Sequence, residues 1–187
     1  LTPEDFDGDG KKDIAVFRPS EGNWYILQSS NLQTRIIKFG ISEDLPVPAD
    51  FDGDGKADLA LFRPSNGSWY VLKSSDGGAA IVKFGLNGDK PVVGDYDGDG
   101  KADFAVFRPS GGNWYLLRSE KGFTAVNFGL RDDKPLQADF DGDGRRDIAV
   151  FRPAANVWYF LKSSNGSFGF SQFNINDGVA VPSIFIP

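Results

Sequence analysis

The stretch that decides the fold is Asp50-Phe51-Asp52-Gly53-Asp54-Gly55-Lys56-Ala57-Asp58-Leu59-Ala60-Leu61-Phe62-Arg63-Pro64, in which an acidic, glycine-rich loop runs into an apolar strand. Phe-Arg-Pro, Trp-Tyr and Phe-Gly recur after each such loop, although the fourth copy carries Phe173-Asn174 in place of Phe-Gly. Self-similarity at a fixed period predicts a chain of similar structural units. The loops start at Asp5, Asp50, Asp95 and Asp139, which gives repeats of 45, 45 and 44 residues.

Each unit is predicted to contain four short strands and no helix. In the second copy the strands are 46–51, 57–63, 69–73 and 80–84, separated by turns rich in glycine, proline and asparagine. Segments 14–17 and 24–27 are apolar throughout instead of alternating, so both of their faces are predicted to be buried. A small sheet buried on both faces has to lie between neighbouring sheets.

Radial and linear stacking of the sheets both satisfy this requirement. A linear stack needs terminal units with polar outer faces, and neither terminal repeat has one. We therefore expect an all-β fold, a β-propeller of four four-stranded blades with an extra C-terminal strand. The blades are predicted at 1–44, 45–89, 90–133 and 134–175 of a single repeat domain, 1–187.

The extra strand is predicted at 176–187. This segment matches the residues that lead into each acidic loop, but no loop follows it. Segment 1–6 is another copy of the same strand, so four units have five candidate first strands. The surplus strand either closes a blade of its own chain or is donated to another molecule.

Each acidic loop has the form D-x-D-G-D-G-x-x-D, with four carboxylates that repel one another unless a cation lies among them. Positions 1, 3 and 5 are expected to converge, because glycines at 4 and 6 permit a sharp turn. Position 7 supplies a backbone carbonyl while its side chain can point outward into water, and position 9 supplies the fourth carboxylate. All-oxygen ligation favours Ca²⁺ over Mg²⁺. The four predicted calcium sites comprise Asp5, Asp7, Asp9, Lys11 and Asp13; Asp50, Asp52, Asp54, Lys56 and Asp58; Asp95, Asp97, Asp99, Lys101 and Asp103; and Asp139, Asp141, Asp143, Arg145 and Asp147.

The metal is predicted to stabilise the fold and not to act as a regulatory signal, because the four loops are equivalent. Four bound Ca²⁺ ions would change the net charge from −6 to +2. Position 12, a bidentate Glu in a helical EF-hand, is Val or Leu in every copy, so a modest affinity suited to millimolar extracellular calcium is expected.

The composition excludes several function classes. The chain has no Cys and no His, so disulfides, zinc–thiolate sites and serine–histidine triads are ruled out. A net charge of −6 argues against nucleic acid as a partner. No apolar run reaches the roughly 20 residues of a membrane-spanning helix, so membrane insertion is not expected.

The unit resembles the FG-GAP repeat, also known as the VCBS type, of integrin alpha-subunit propellers and many secreted bacterial proteins. The resemblance rests on the acidic loop followed by an apolar strand, as in 50–62, and on the Phe-Gly pairs at Phe84 and Phe128. It covers essentially the whole chain. It implies propeller blades with calcium bound between the first and second strands of each blade, at the four loops given above.

Two further patterns bear on function. An Arg precedes Pro in every unit, at Arg18, Arg63, Arg108 and Arg152, and could bind a sugar together with the nearby Trp. The interpretation we favour is an Arg stacked on a Trp between blades, because no acidic side chain is found at a regular place nearby. No pair of carboxylates is singled out as a glycosidase would require, so no enzyme activity is predicted.

The sequence thus predicts a secreted, calcium-stabilised, non-enzymatic structural or adhesive module. Its partners would be other copies of itself or an extracellular protein or polysaccharide. Two alternatives stay open: a subunit of an extracellular head-to-tail filament that uses the surplus strand, and a multivalent carbohydrate-binding lectin.

Overall fold

The structure is a computed structural model and describes residues 4–172. Within this range the chain is all-β, with fifteen strands, no α-helix and a single-turn 3₁₀ helix at Pro153–Ala155. The predictions for segment 176–187, for the start of segment 1–6 and for the Phe173-Asn174 variant lie outside the described residues. No helix in the described part is both long and apolar enough to cross a membrane.

The described residues form two compact units. The first comprises 4–87 with 100–102, and the second comprises 88–99 with 103–172. Each unit contains two antiparallel sheets, in which strands adjacent in sequence pair with one another.

The first unit holds a three-stranded and a four-stranded sheet. The first sheet consists of β1 (Ile14–Arg18), β2 (Asn23–Leu27) and β3 (Thr34–Lys38). The second consists of β4 (Leu45–Pro46), β5 (Leu59–Arg63), β6 (Ser68–Leu72) and β7 (Ala79–Lys83).

The second unit holds two four-stranded sheets. The third sheet consists of β8 (Lys90–Pro91), β9 (Phe104–Arg108), β10 (Asn113–Arg118) and β11 (Gly122–Asn127). The fourth consists of β12 (Lys134–Ala138), β13 (Asp147–Arg152), β14 (Val157–Leu161) and β15 (Phe168–Gln172).

The prediction of four short strands per unit is confirmed in three sheets, and three strands of the first sheet lie within the described residues. The bounds predicted for the second repeat are accurate to about two residues, except for its first strand, predicted at 46–51. This strand, β4, pairs with β5 only at Leu45–Pro46. Beyond it, an isolated β-bridge joins Ala49 to Asp58.

The core of each unit lies between its two sheets. In the first unit, Trp24 and Ile26 of β2 pack with Leu59 and Leu61 of β5. In the second, Phe107, Trp114 and Leu116 of the third sheet pack with Val150 of β13. Burial of these large apolar side chains is the main stabilising term, at about 2 kcal/mol for each.

The prediction of two buried faces, made for 14–17 and 24–27, is wrong for β1, and in β2 Trp24 and Ile26 are buried while Tyr25 and Leu27 are half-buried. The corresponding strand β5 of the second sheet is buried on both faces. Leu59 and Leu61 are 4% and 0% exposed because they pack on the first sheet. Ile14 and Val16 occupy the corresponding positions of β1 and are 67% and 57% exposed. No described residue of the first unit covers that face of β1.

Hydrogen bonds from Trp connect the recurring Trp-Tyr and Phe-Gly motifs. The indole N–H of Trp69 donates to the carbonyl of Phe84 at 2.7 Å, and Trp24 and Trp114 make the same bond in their own sheets. Gly67 lies beside this contact with φ +64°, and a Cβ there would lie 2.2 Å from the carbonyl oxygen of Gly85. The turn between β5 and β6 therefore requires glycine, which explains the recurrence of Gly at this position.

Candidate metal centres in the acidic loops

The first aspartate of each loop organises the turn. One carboxylate oxygen of Asp5 accepts the amide of Gly8 at 2.6 Å, and the other accepts the amide of Gly10 at 2.9 Å. Both glycines have φ above +80°, as the sequence predicts for a sharp turn. The same pair of bonds recurs at Asp50 and Asp139.

The last aspartate of each loop braces the loop against a distant turn. Asp58 accepts the amide of Phe51 at 2.9 Å and the amide of Ser74, which follows β6, at 2.7 Å. Asp13, Asp103 and Asp147 accept the corresponding two amides in the other loops. Burial raises the pKa of Asp58, and it raises the pKa of Asp103 to about 6. Such a carboxylate is costly to ionise without a nearby cation.

Hydroxyl and amide groups hold the third-position aspartate. Asp7 accepts the hydroxyl of Ser30 at 2.6 Å, and this bond lowers the pKa of Asp7. Serine makes the equivalent bond to Asp52 and Asp141 at 2.6 Å. In the third loop the amides of Glu120 and Lys121 donate to Asp97 Oδ2 instead.

In loops two, three and four the fifth-position aspartate accepts the hydroxyl of the first serine of the turn that follows the third strand of the repeat, whereas Asp9 of the first loop contacts Lys11. The hydroxyl of Ser74 lies 2.9 Å from both carboxylate oxygens of Asp54, and that of Ser163 lies 2.8 Å from both oxygens of Asp143. The guanidinium of Arg145 also donates to Asp143 and lowers its pKa to about 2.

The sequence interpretation missed these serines. They follow the third strand of each sequence repeat, 16 and 17 residues after the last aspartate of the loop. This regular spacing could have revealed them. They are Ser29 and Ser30, Ser74 and Ser75, Ser119 with Glu120, and Ser163 and Ser164.

Three carboxylates of each loop gather around one point. In each group the candidate ligand atoms lie within 4.8 Å of one another, a spacing that could hold a metal ion. Loops one, two and four bring together positions 1, 3 and 9, whereas loop three brings together positions 1, 3 and 5. The remaining predicted carboxylates, Asp9, Asp54, Asp143 and Asp103, lie outside these groups. The groups are Asp5, Asp7 and Asp13; Asp50, Asp52 and Asp58; Asp95, Asp97 and Asp99; and Asp139, Asp141 and Asp147.

One oxygen of the third loop fits a cation in particular. Asp97 is 4% exposed, and its Oδ1 is buried with no hydrogen-bond partner. A buried carboxylate oxygen left unpaired costs free energy unless a cation compensates it. The donor set is entirely oxygen, which suits a hard ion such as Ca²⁺.

Successive loops are joined by a backbone hydrogen bond. The amide of Ala57 in the second loop donates to the carbonyl of Asp5 in the first at 2.7 Å. The amide of Arg146 makes the same bond to Asp95 in the second unit, also at 2.7 Å. The carbonyl of a first-position residue thus fixes the place of the next loop.

Three of the four recurring arginines form bidentate ion pairs with buried carboxylates. Nε and Nη2 of Arg63 donate to the two oxygens of Asp44 at 2.7 and 2.9 Å, and its guanidinium lies 4.2 Å from the ring centroid of Tyr70. Arg108 pairs with Asp89, and Arg152 with Asp133, in the same bidentate way.

Two sequence interpretations of these arginines are therefore wrong. The aromatic partner is the Tyr of the same sheet, because the pairing of the two strands places it beside the Arg, and it is not a Trp between blades. An acidic side chain does occur at a regular place, 19 residues before each paired Arg. Arg18 differs from the others, since it pairs with the exposed Glu21.

Family models of the FG-GAP repeat match most of the sequence. The FG-GAP-like repeat model matches residues 5–61 and 50–106, and the FG-GAP repeat model matches residues 87–126. The sequence matches none of the curated proteins with which it was compared.

Solved structures share the fold at low sequence identity. Virginiamycin B lyase from Staphylococcus aureus has a TM-score of 0.59 at 14% identity and covers 88% of this chain and 53% of its own. An Agrocybe aegerita lectin that recognises non-reducing terminal N-acetylglucosamine has a TM-score of 0.63 at 19% identity, with 89% and 49% covered. BBS1N from its complex with ARL6DN has a TM-score of 0.53 at 14% identity, with 86% and 49% covered. The chain thus spans about half the length of these structures.

Three findings agree on the family. The antiparallel sheets recur in phase with the sequence repeat, each acidic loop brings three carboxylates together, and the FG-GAP-like repeat model covers more than half of the chain. The chain therefore belongs to the FG-GAP repeat family and has an all-β, four-bladed β-propeller fold.

Proposed function

We propose that this chain is a calcium-stabilised, non-enzymatic module of a secreted or cell-surface protein, with a structural or adhesive role. The observation that carries the proposal is the buried, unpartnered Oδ1 of Asp97 within a group of three carboxylates. Ca²⁺ bound there would satisfy this oxygen and neutralise the mutual repulsion of the group.

Repetition supports a stabilising role for the ion. The four acidic groups occupy equivalent places, next to the start of the second strand of each blade, and the carboxylates also bond to the turn after the third strand. An ion in each group would therefore clamp three segments of a blade together. Four equivalent sites favour stapling over a single catalytic or signalling centre.

The test is a thermal unfolding measurement in calcium and in excess chelator. Because Ca²⁺ binds the folded loops far better than the unfolded chain, chelation is expected to lower the Tm by many degrees. The double variant Asp50→Asn, Asp52→Asn should lose one site and part of the calcium-dependent stabilisation. An unchanged Tm in chelator would contradict the stapling role.

A filament subunit is the second candidate, and it is favoured by β1, which is an edge strand of the first sheet among the described residues. Ile14 and Val16 of β1 are exposed where their counterparts in β5 are buried. In this proposal the surplus strand at 176–187 of one molecule adds to β1 of the next, giving head-to-tail growth. The double variant Ile14→Lys, Val16→Lys should then convert large species into monomers. A wild-type chain that sediments as a monomer in calcium would exclude the filament.

A lectin is the third candidate, suggested by the structural similarity to the Agrocybe aegerita lectin. Arg63, Arg108 and Arg152 are already paired with carboxylates, so they offer a sugar few free donors. Binding of the chain on a glycan array would support this candidate. An array without hits would remove it and leave the structural or adhesive role.

A further inference from the structure

A cavity of about 310 Å³ lies in the first unit, apart from the paired arginines. Its apolar wall comes from Ile26, Ile37, Leu59 and Leu72, which belong to four strands of the two sheets. The volume is within the range of pockets that bind small molecules. Such a wall would shelter the apolar body of a ligand from water.

The lining of this cavity is positively charged in an acidic protein. Arg35, Lys56 and Lys73 line it, and Asp7 is the only carboxylate among the lining residues. Within residues 4–172 none of the three cations has a salt-bridge partner within 4.0 Å. By contrast, Arg63, Arg108 and Arg152 are each paired with a buried carboxylate.

One of the three charges, that of Arg35, does not follow from the repeat itself. Arg35 is paired across from Ile26, and the residue paired across from the corresponding Val71 in the second sheet is Ala80. Gln28 stands in the first sequence repeat where Lys73 stands in the second. Arg118 and Lys162 are the counterparts of Lys73 in the third and fourth repeats, and the guanidinium of Arg118 donates to the hydroxyl of Thr124 at 2.6 Å. The repeat therefore does not account for Arg35, although it does supply Lys56 and Lys73.

We propose that this cavity binds a small organic anion, with its apolar body against the aliphatic wall and its carboxylate or sulfonate group between Arg35 and Lys73. Asp7 and Lys56 of the acidic loops also line the cavity, but the head group is placed on Arg35 and Lys73, which lie outside those loops, so the proposal stands without the function proposed above. A charge-assisted contact with each cation would fix the head group.

A matched pair of fluorescent dyes tests this. 8-Anilinonaphthalene-1-sulfonate is an apolar body with one anionic group, and N-phenyl-1-naphthylamine is the same body without the charge. The sulfonate is expected to bind with one-to-one stoichiometry to the folded chain in calcium buffer, more weakly as salt is added. The neutral dye should bind much more weakly.

The variants use residues that the repeat already accepts. Arg35→Ala introduces the residue found at Ala80, and Lys73→Gln introduces the residue found at Gln28, so both are expected to keep the Tm of the wild type. Each should weaken binding of the sulfonate about fivefold. Lys38→Ala removes a charge from the opposite side of β3 and should leave the affinity unchanged.

Three results would overturn the proposal. The first is no binding of the sulfonate, and the second is equal affinity for the two dyes. The third is a Kd for the sulfonate that neither Arg35→Ala nor Lys73→Gln changes, since the dye would then bind elsewhere.

Discussion

The aliphatic stem of Lys56 covers the backbone of Gly8 in the preceding loop. A Cβ at Gly8 would lie 2.6 Å from Cε and 3.2 Å from Cδ of Lys56. Lys101 covers Gly53 in the same manner, and Arg145 covers Gly98. The seventh residue of a loop therefore packs on the loop before it, where the sequence suggested a side chain directed into water.

This packing predicts unequal effects at two glycines of one loop. Gly8 and Gly10 have nearly the same φ, +83° and +84°, but nothing lies within 4 Å of a Cβ at Gly10. Gly10→Ala should lower the free energy of unfolding by about 1 kcal/mol through the strained backbone alone. Gly8→Ala should cost about 0.5 kcal/mol more because the flexible side chain of Lys56 has to move.

A double-variant cycle isolates the contact. Adding Lys56→Ala should recover most of the extra loss in Gly8→Ala and none of the loss in Gly10→Ala. Chemical denaturation of the wild type, the three single variants and the two double variants measures both effects. Equal losses of unfolding free energy in Gly8→Ala and Gly10→Ala would show that the side chain of Lys56 moves aside without an energetic cost.

The buried ion pair of Asp44 and Arg63 predicts a large effect of neutralising the acid. Asp44→Asn should lower the free energy of unfolding by about 3 kcal/mol, because the guanidinium of Arg63 then lacks its carboxylate in a largely buried place. Glu21→Gln, which breaks the exposed pair with Arg18, is the matched control and should change stability little. If Asp44→Asn and Glu21→Gln lowered the free energy of unfolding by similar amounts, burial would not be what makes the Asp44–Arg63 pair important.

The strand pattern was predictable because it is local and repeated. The turn glycines, the prolines and the apolar runs of β5 and β6 are enough to place the strands to within about two residues. The Asp44–Arg63 pair was missed because its partners are 19 residues apart and meet only through the pairing of β4 with β5. Leu45 pairs with Phe62, so the neighbouring residues Asp44 and Arg63 come together. This register could not be read from either segment alone.

Exposure of β1 could not be predicted from its own composition. Ile14 and Val16 are as apolar as Leu59 and Leu61, and burial depends on whether another sheet packs on the strand. The acidic loops were easier to predict, because their glycines and aspartates act within nine residues. The serines that donate to the carboxylates lie outside the loop. Predicting them would have required the regular spacing between the loop and the turn after the third strand of the repeat.

The pKa of Asp103 predicts a pH dependence in the absence of metal. Burial raises this pKa from the model-compound value of 3.8 to about 6 in the folded protein. The folded state then binds the proton more tightly than the unfolded chain, so this group's contribution to stability is greatest at low pH. That contribution is lost as pH rises from about 4 to about 6.

A carboxyl ¹³C NMR titration in chelator checks this value. The Asp103 resonance should titrate near pH 6, whereas that of Asp143, held by Arg145, should titrate near pH 2. Calcium should shift the Asp103 transition to lower pH, because the cation favours the ionised form. A transition of Asp103 near pH 4 in chelator would contradict the assigned effect of burial.

The most direct test of the central claim is the calcium stoichiometry of the wild type and of Asp97→Ala, measured by equilibrium dialysis at millimolar calcium. We predict four ions per wild-type chain, one for each acidic group. Asp97→Ala should bind three, with the other three groups as an internal control for folding. No bound calcium in the wild type, or four ions in the variant, would contradict the account.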